Sequence, residues 1–284
     1  MKLVTFEIEG KERTGIAVED GALVDLSEHA IPLDMIELIG AWPTFKDKIG
    51  RIAREAKPHL QIADVHLLAP VPRPQKILAM GLNYADHIAE SGIAAPERQI
   101  WFGKLPSAVN GPYDPIQIPK ASNVVDYEAE LVFVIGKRCR HVPKEKAHEV
   151  IFGYAVGNDV SVRDWQMHTP QWLVGKSFDT HAPFGPWIVT ADELENPHAL
   201  GIRCLVNGEM RQNSNTKHLV FNCFDQIAYL SQAMTLLPGD VIFTGTPGGV
   251  GIAMKPRKLL KPGDNVRVEI DNIGHISAQM IPES

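Results

Sequence analysis

The stretch Asp126-Tyr127-Glu128-Ala129-Glu130-Leu131-Val132-Phe133-Val134-Ile135 decides how the rest of the chain is read. From Leu131 onward it is apolar and rich in β-branched residues, the pattern of a buried strand. Side chains alternate across a strand, so Glu128 and Glu130 share one face. Two carboxylates side by side at the head of a buried strand repel each other and lose hydration, and something has to compensate. A divalent cation is the simplest compensator, and a Lys or Arg beside a solvated strand end is the other.

A third carboxylate sharpens the choice. Phe152-Gly153-Tyr154-Ala155-Val156-Gly157-Asn158-Asp159-Val160 reads as a second apolar strand carrying Asp159 near its end. If the two strands are neighbours, Glu128, Glu130 and Asp159 form an all-oxygen triad. Hard oxygen ligands without Cys or an obligatory His favour Mg2+, Mn2+ or Ca2+ over Zn2+. Three carboxylates leave about half of an octahedron for water and substrate, which suits catalysis.

These two segments, with others in a fixed order, resemble the fumarylacetoacetate hydrolase family. The others are Gly81-Leu82-Asn83-Tyr84-Ala85-Asp86-His87-Ile88-Ala89-Glu90, the continuation Ser161-Val162-Arg163-Asp164-Trp165-Gln166, and Gly175-Lys176-Ser177-Phe178-Asp179-Thr180. Val206-Asn207-Gly208-Glu209 and Pro238-Gly239-Asp240-Val241-Ile242-Phe243-Thr244-Gly245-Thr246-Pro247 complete the set. The resemblance runs from about Lys76 to Met280. It implies a metal held by Glu128, Glu130 and Asp159, either Mg2+ or Mn2+. It also implies a rolled mixed β-sandwich catalytic domain, a homodimer, and the branch that includes acylpyruvate hydrolases and 2-hydroxyhepta-2,4-diene-1,7-dioate isomerases.

Bulk properties bound the reading. A chain of 284 residues is one large domain, or one domain with a small addition, and 44% hydrophobic residues suffice for a sizeable core. A net charge of −6 argues against nucleic acid as the main partner. Cys139, Cys204 and Cys223 form no CxxC motif and fit a reducing compartment. The segment Met1–Glu7 lacks the apolar core of a signal peptide, and no run of about 18 apolar residues is present. The expected location is therefore the cytoplasm, with no membrane partner.

Residues 1–28 read as short antiparallel strands, Leu3–Ile8, Thr14–Val18 and Ala22–Leu26, separated by turns at Glu9-Gly10-Lys11 and Asp20-Gly21. Residues 33–56 look helical with a break around Trp42-Pro43. The proline-rich connector Ala69–Pro74 suggests a boundary, giving a small N-terminal domain over 1–70 and a catalytic domain over 71–284. Beyond it, Pro238-Gly239-Asp240 and Lys261-Pro262-Gly263-Asp264 are matching turns, each feeding a strand. A helix is expected over 222–236. The mixture is α+β, dominated by antiparallel strands.

Several side chains outside the triad carry candidate chemistry. His87 and Glu90 lie at i, i+3 on a short helix that Asn83 can cap and Gly92 can end. A carboxylate beside an imidazole raises its basicity, a device for activating water; a surface His–Glu pair is the bland alternative. The resemblance makes this pair catalytic and places it on a mobile lid helix. Lys176 either stabilises an oxyanion or offsets the acidic triad, and the resemblance puts it in the site.

If 160–167 is helical, Arg163 and Gln166 share a face with Asp159 at its head. Arg163 can hold a carboxylate and Gln166 can donate to a carbonyl. By resemblance both face the substrate, Thr246 in the glycine-rich loop Thr244–Gly251 contacts a substrate carboxylate, and Thr180 sits near the metal. Phe102-Gly103-Lys104 matches a family segment in which Pro follows the Lys. Leu105 stands there instead, and Lys104 is left outside the catalytic set.

The family resemblance implies hydrolytic cleavage of a C–C bond in an acylpyruvate or other diketo acid, such as a 2,4-diketo-3-deoxy sugar acid. A pyruvate enolate chelated by the metal would leave, and His87 with Glu90 would activate the water. The same site admits decarboxylation of oxaloacetate or an isomerase outcome, and fold and metal do not choose among them, whereas His87 and Glu90 favour water activation. A non-catalytic metal- or ligand-binding protein is the remaining alternative, which loss of that pair or of Lys176 would have supported.

Overall fold

The computed structural model describes the whole chain except residues 56, 57, 59 and 93. The quoted stretch forms the strand Ala129–Ile135, every residue of it buried. Leu131, Phe133 and Ile135 enter one hydrophobic cluster, and Val132 and Val134 enter another. A strand covered on both faces needs an unbroken apolar run, which explains why this stretch lacks the alternation of a half-exposed strand.

The strand sits within a mixed sheet of 12 strands. One neighbour is Ile151–Asn158, antiparallel, with Glu130 opposite Gly157 and Ala129 opposite Asn158. The other is Val241–Phe243, which pairs parallel with Ile77–Gly81 on its far side. The five-stranded sheet built on Gly201–Val206 and Asn265–Ile270 covers one face. The helices Met35–Gly40 and Trp42–Glu55 supply Met35, Leu38, Ile39 and Ile49 to the core of the other. The architecture is α+β, as the pattern of short strands implied.

The N-terminal strands Lys2–Ile8, Lys11–Ala17 and Ala22–Asp25 pair antiparallel as expected. Lys2 and Leu3 also pair with Val189 and Ile188, so these strands continue the large sheet. The helical reading over 33–56 is interrupted at Ala41, and its last residue lies outside the described residues. Both expected turns close on an aspartate: Asp240 accepts the Leu237 N–H, and Asp264 accepts the Lys261 N–H.

Other elements are shorter than their sequence suggests. The helix expected over 222–236 is Cys223–Ala233, begun by an Asn222–Asp225 capping box. The helix expected over 160–167 begins only at Arg163, because Ser161 and Val162 pair with Asp126 and Val125. Asp159 therefore stands on the preceding strand end and not at a helix head. Cys204 and Cys223 are buried and Cys139 is partly exposed. No described helix is long and apolar enough to cross a membrane.

Candidate active site

Strand pairing assembles the acidic cluster. Glu128 and Glu130 share the face of Val132 and Val134, and the antiparallel neighbour delivers Asp159 beside them. The Asp159 N–H donates to the Glu128 carbonyl at 2.9 Å, and the Glu128 N–H donates to Asn158 Oδ1 at 3.0 Å. Carboxylate oxygens of Glu128, Glu130 and Asp159 lie within 4.8 Å of one another, and all three residues are buried. Gly157 keeps the strands close: a Cβ there would stand 2.5 Å from Val132 and 2.6 Å from the Phe243 ring.

Three cations balance part of this charge. Lys176 Nζ donates to Glu128 Oε2 at 2.6 Å and Asp159 Oδ2 at 2.7 Å, and lies 4.9 Å from the centre of the Phe102 ring. Gly175 lets the loop pass against Gln166, and its carbonyl accepts the Val162 N–H. Arg163 Nη1 lies 2.7 Å from Glu128 Oε1, while its Nε donates to Asp126 Oδ2 at 2.9 Å. Lys104, set aside on sequence, proves to be buried against the cluster: its Nζ donates to Asp159 Oδ1 at 2.6 Å and to the Val160 carbonyl. The missing proline does not matter to this contact, since the strand Ile100–Lys104 sets the direction of the side chain.

The balance is uneven. Burial would raise Glu128, but the Lys176 ammonium and Arg163 guanidinium outweigh it and hold the carboxyl at about 2. Glu130 has no cation within ion-pair distance among the described residues and accepts only the Gly245 N–H, at 2.7 Å. Burial, then Asp159 and Glu128, push its carboxyl well above the usual range. An unneutralised carboxyl edge, with three hard oxygen donors converging on it, fits Mg2+ or Mn2+. The residues that would hold the ion are Glu128, Glu130 and Asp159.

A cavity of about 600 Å3 opens over this edge. His87, Arg163, Gln166, Lys176 and Thr246 all line it. Arg163 is committed to Asp126 and Glu128, and its Nη1 also donates to Gln166 Oε1 at 3.0 Å. It thus anchors Glu128 and orients Gln166, beyond the open carboxylate-binding role read from sequence. Thr246 Oγ1 accepts from Gln212 Nε2 at 2.8 Å, which leaves its hydrogen to donate.

The helix Ala85–Ser91 forms part of the rim. Its N-cap is Tyr84, and Asn83 does not cap it. The Asn83 amide is fully engaged elsewhere, donating to the Phe221 and Thr244 carbonyls and accepting the Phe221 N–H. Gly92 ends the helix in the left-handed conformation, as expected. His87 Nδ1 lies 3.4 Å from Glu90 Oε1 without a hydrogen bond. The other Glu90 oxygen accepts the Gly249 N–H at 2.7 Å, and Asp86 accepts from Gly248 and Ser214. The helix is therefore docked on the glycine-rich loop.

The Thr180 hydroxyl is engaged by the backbone. The residue is left-handed and its hydroxyl accepts the Gln117 N–H at 2.9 Å. Gln212 was not singled out on sequence, because it sits in the polar-looking strand Glu209–Asn215. It is nonetheless fully buried and ties Ala129 to Thr246 and Pro247.

Fold and site together define an enzyme-like cavity over a buried acidic triad capable of holding a metal ion, at the ends of two central strands. A family model described as fumarylacetoacetate (FAA) hydrolase C-terminal matches residues 76–281. The chain belongs to the fumarylacetoacetate hydrolase family. It is 44% identical over 289 residues to oxaloacetate tautomerase fahd2, mitochondrial, of Xenopus laevis, covering 99% of this chain and 90% of that one.

The crystal structure of maleylpyruvate hydrolase from Sphingobium sp. SYK-6 in complex with manganese(II) ion and pyruvate superposes with a TM-score of 0.85. Sequence identity to it is 33% and both chains are covered in full. The 5-carboxymethyl-2-hydroxymuconate delta-isomerase of Mycobacterium smegmatis superposes with a TM-score of 0.80 at 34% identity, again over both full chains. The family thus spans tautomerases, hydrolases and isomerases.

Proposed function

We propose that this chain is an Mg2+- or Mn2+-dependent enzyme of 2-oxo acids that interconverts the enol and keto forms of oxaloacetate. The observation that carries the reading is the near full-length similarity to an oxaloacetate tautomerase, in a chain whose cavity sets His87 beside the acidic triad. It moves the emphasis from hydrolysis, the first expectation from sequence, to the isomerase outcome of the same site.

Bound at the triad, the metal supplies a Lewis acid that acidifies C3 of a 2-oxo acid. The rest falls to the chain. Lys176 and Arg163 fix Glu128, and Lys176 with Lys104 fixes Asp159. Thr246 donates to a substrate carboxylate, and Gln166 donates its amide N–H to a substrate oxygen. His87 takes the proton from the enol hydroxyl and the imidazolium so formed returns it to C3, so His87 ends neutral, no water is consumed and no carbon–carbon bond breaks. Glu90, 3.4 Å from Nδ1, stabilises the imidazolium formed in that exchange.

Hydrolysis of an acylpyruvate is the second reading. The cavity of about 600 Å3 favours it, being in the range that holds ligands well above four carbons. In that case the His87–Glu90 pair activates water, and the products are pyruvate and a carboxylic acid.

The test is to follow the decay of enol absorbance after diluting enol-oxaloacetate into dilute buffer with Mn2+, with pyruvate assayed in parallel. Acceleration by the wild type, abolished by a chelator and slowed about 100-fold or more by His87→Ala, supports tautomerisation. No acceleration, with pyruvate released from acetylpyruvate, overturns it in favour of hydrolysis. Pyruvate released from oxaloacetate itself identifies a decarboxylase.

We further infer a homodimer, to be checked by sedimentation, and a cytoplasmic location, supported by sparse unpaired cysteines. The Xenopus relative is named as mitochondrial, so fractionation of the source cell decides the location.

A further inference from the structure

We propose that Arg257 is a specificity-determining residue that binds a carboxylate at the far end of the substrate. This rests on the 2-oxo acid reading of the site in its second form, a substrate longer than oxaloacetate, and adds the residue that would read the distal end of that substrate.

Three permanently or usually cationic side chains line the cavity: Arg163, Lys176 and Arg257. The first two are spoken for. Arg163 is held by Asp126 and Glu128, and Lys176 by Glu128 and Asp159. Both face the acidic floor and offset part of its charge. Arg257 differs: it is exposed, and among the described residues it has no hydrogen bond and no ion pair, so its guanidinium is free to take an incoming anion. A planar guanidinium matches a carboxylate with two parallel N–H donors, which a solvated lysine does not.

The segment that carries Arg257 is anchored. The Gly251 and Ile252 N–H groups donate to the two oxygens of Asp126, at 2.8 and 3.0 Å. The Lys258 N–H donates to the Gly251 carbonyl, closing the segment on itself at 3.0 Å. Asp126 is the same carboxylate that holds Arg163. One buried side chain therefore fixes both the guanidinium at the floor and the base of the loop bearing the guanidinium at the mouth. That is the preorganisation a two-point clamp needs.

Apolar lining is supplied by Val124, Met167, Trp172, Val250 and Ile252. These side chains suit a hydrocarbon linker, while Ser91 and Asp164 add polar groups to the lining. The ligand class that fits is a 2-oxo acid head on the metal floor, a short apolar chain, and a terminal carboxylate at Arg257.

The experiment measures binding, not turnover, on the Mn2+-loaded full chain by calorimetry. Three probes are used: oxalate, which engages only the floor; 2-oxoadipate, with a second carboxylate six carbons along; and 2-oxohexanoate, of the same length without it. The wild type is expected to prefer 2-oxoadipate over 2-oxohexanoate by about tenfold or more, as removing one charge-assisted pair at a mouth position warrants. Arg257→Ala is expected to erase that preference and leave oxalate within twofold. Arg257→Lys is expected to restore part of it, with a steeper loss in salt.

A preference that survives Arg257→Ala, or a wild type that binds both six-carbon acids alike while binding oxalate, overturns the assignment of Arg257 alone. Failure of the wild type to bind oxalate overturns the 2-oxo acid reading beneath it. Because Arg257 is exposed and unpartnered among the described residues, the substitution leaves the fold intact, which thermal unfolding of the variant checks.

Discussion

The floor and the rim of the cavity are built in opposite ways. At the floor, Glu128, Glu130 and Asp159 are placed by the register of two antiparallel strands, and their cationic neighbours Lys104, Arg163 and Lys176 are buried. At the rim, His87 rides on a seven-residue helix held to the glycine-rich loop by a few hydrogen bonds through Asp86 and Glu90. The floor is over-determined by the sheet, whereas the rim depends on groups that water can replace. The proposed function, which asks the site to hold a dication and still admit substrate, gains from this division. Charge is fixed where backbone pairing is strongest, and His87, the proposed proton-transfer group, sits where opening costs least.

The largest effect is expected at the floor. Glu128→Gln removes one metal ligand and leaves Lys176 and Arg163 facing a neutral amide. Mn2+ affinity should fall by about 100-fold or more, and turnover with it, since even groups one step removed from a metal carry 10- to 100-fold effects. Calorimetric titration with Mn2+ checks this. Unchanged affinity would break the contrast between floor and rim.

His87→Ala should separate the two regions cleanly. The kcat should drop by about 100-fold to 1000-fold while Mn2+ affinity stays within about twofold. A parallel loss of metal would mean that rim and floor are one unit.

Gly249→Ala tests the docking of the rim. Gly249 has φ +100°, and a Cβ there would meet the Arg211 carbonyl oxygen at 2.1 Å. The loop must shift, costing about 2 kcal/mol and breaking the Gly249 N–H contact to Glu90. Urea unfolding gives the first number. Amide exchange of residues 85–91, rising while the strand Ala129–Ile135 stays protected, shows the second.

The smallest effect concerns the layer behind the floor. His181 is fully buried, its Nε2 bonded to the Gln117 carbonyl, and burial together with the nearby Lys104 ammonium pushes the imidazole down to about 4. The ordinary value is 6.5, so the folded state binds this proton more weakly than the unfolded one. The stabilisation is complete above pH 6.5 and lost as pH falls toward 4. Between pH 7 and 5 the loss should be about 2 kcal/mol. His181→Gln should flatten that part of the pH–stability curve, and an unchanged slope would show that other groups govern it.

Much of the floor was legible in the sequence because a covered strand leaves a distinctive signature. An unbroken apolar run from Leu131 to Ile135 can only be a covered segment, and the two acids just before it must then stand at its mouth. The residue type at Asp159 was as telling. The helix break near Trp42 and the paired Gly-Asp turns were legible for the same local reason. What failed were side chains whose partners lie far along the chain. Asn83 looks like a cap because it precedes a helix, yet its amide clamps Phe221 and Thr244. Gln212 looks solvated within a polar strand, and Arg163 looks free for substrate until Asp126 and Glu128 are seen beside it. Lys104 was set aside over one neighbouring residue, although strand direction, which that neighbour does not control, carries it to Asp159.

The most direct test is a titration of the metal-free chain with Mn2+, following the free ion by electron paramagnetic resonance, for the wild type and for Glu130→Gln. Glu130 is the carboxyl without a cationic partner among the described residues, so its exchange for an amide disturbs no ion pair in the fold. One tight ion per chain in the wild type is expected, with proton release below the raised pKa of Glu130 and affinity lowered by about 100-fold in the variant. Equal binding by the two proteins, or none by the wild type, would contradict a metal centre at the head of this strand.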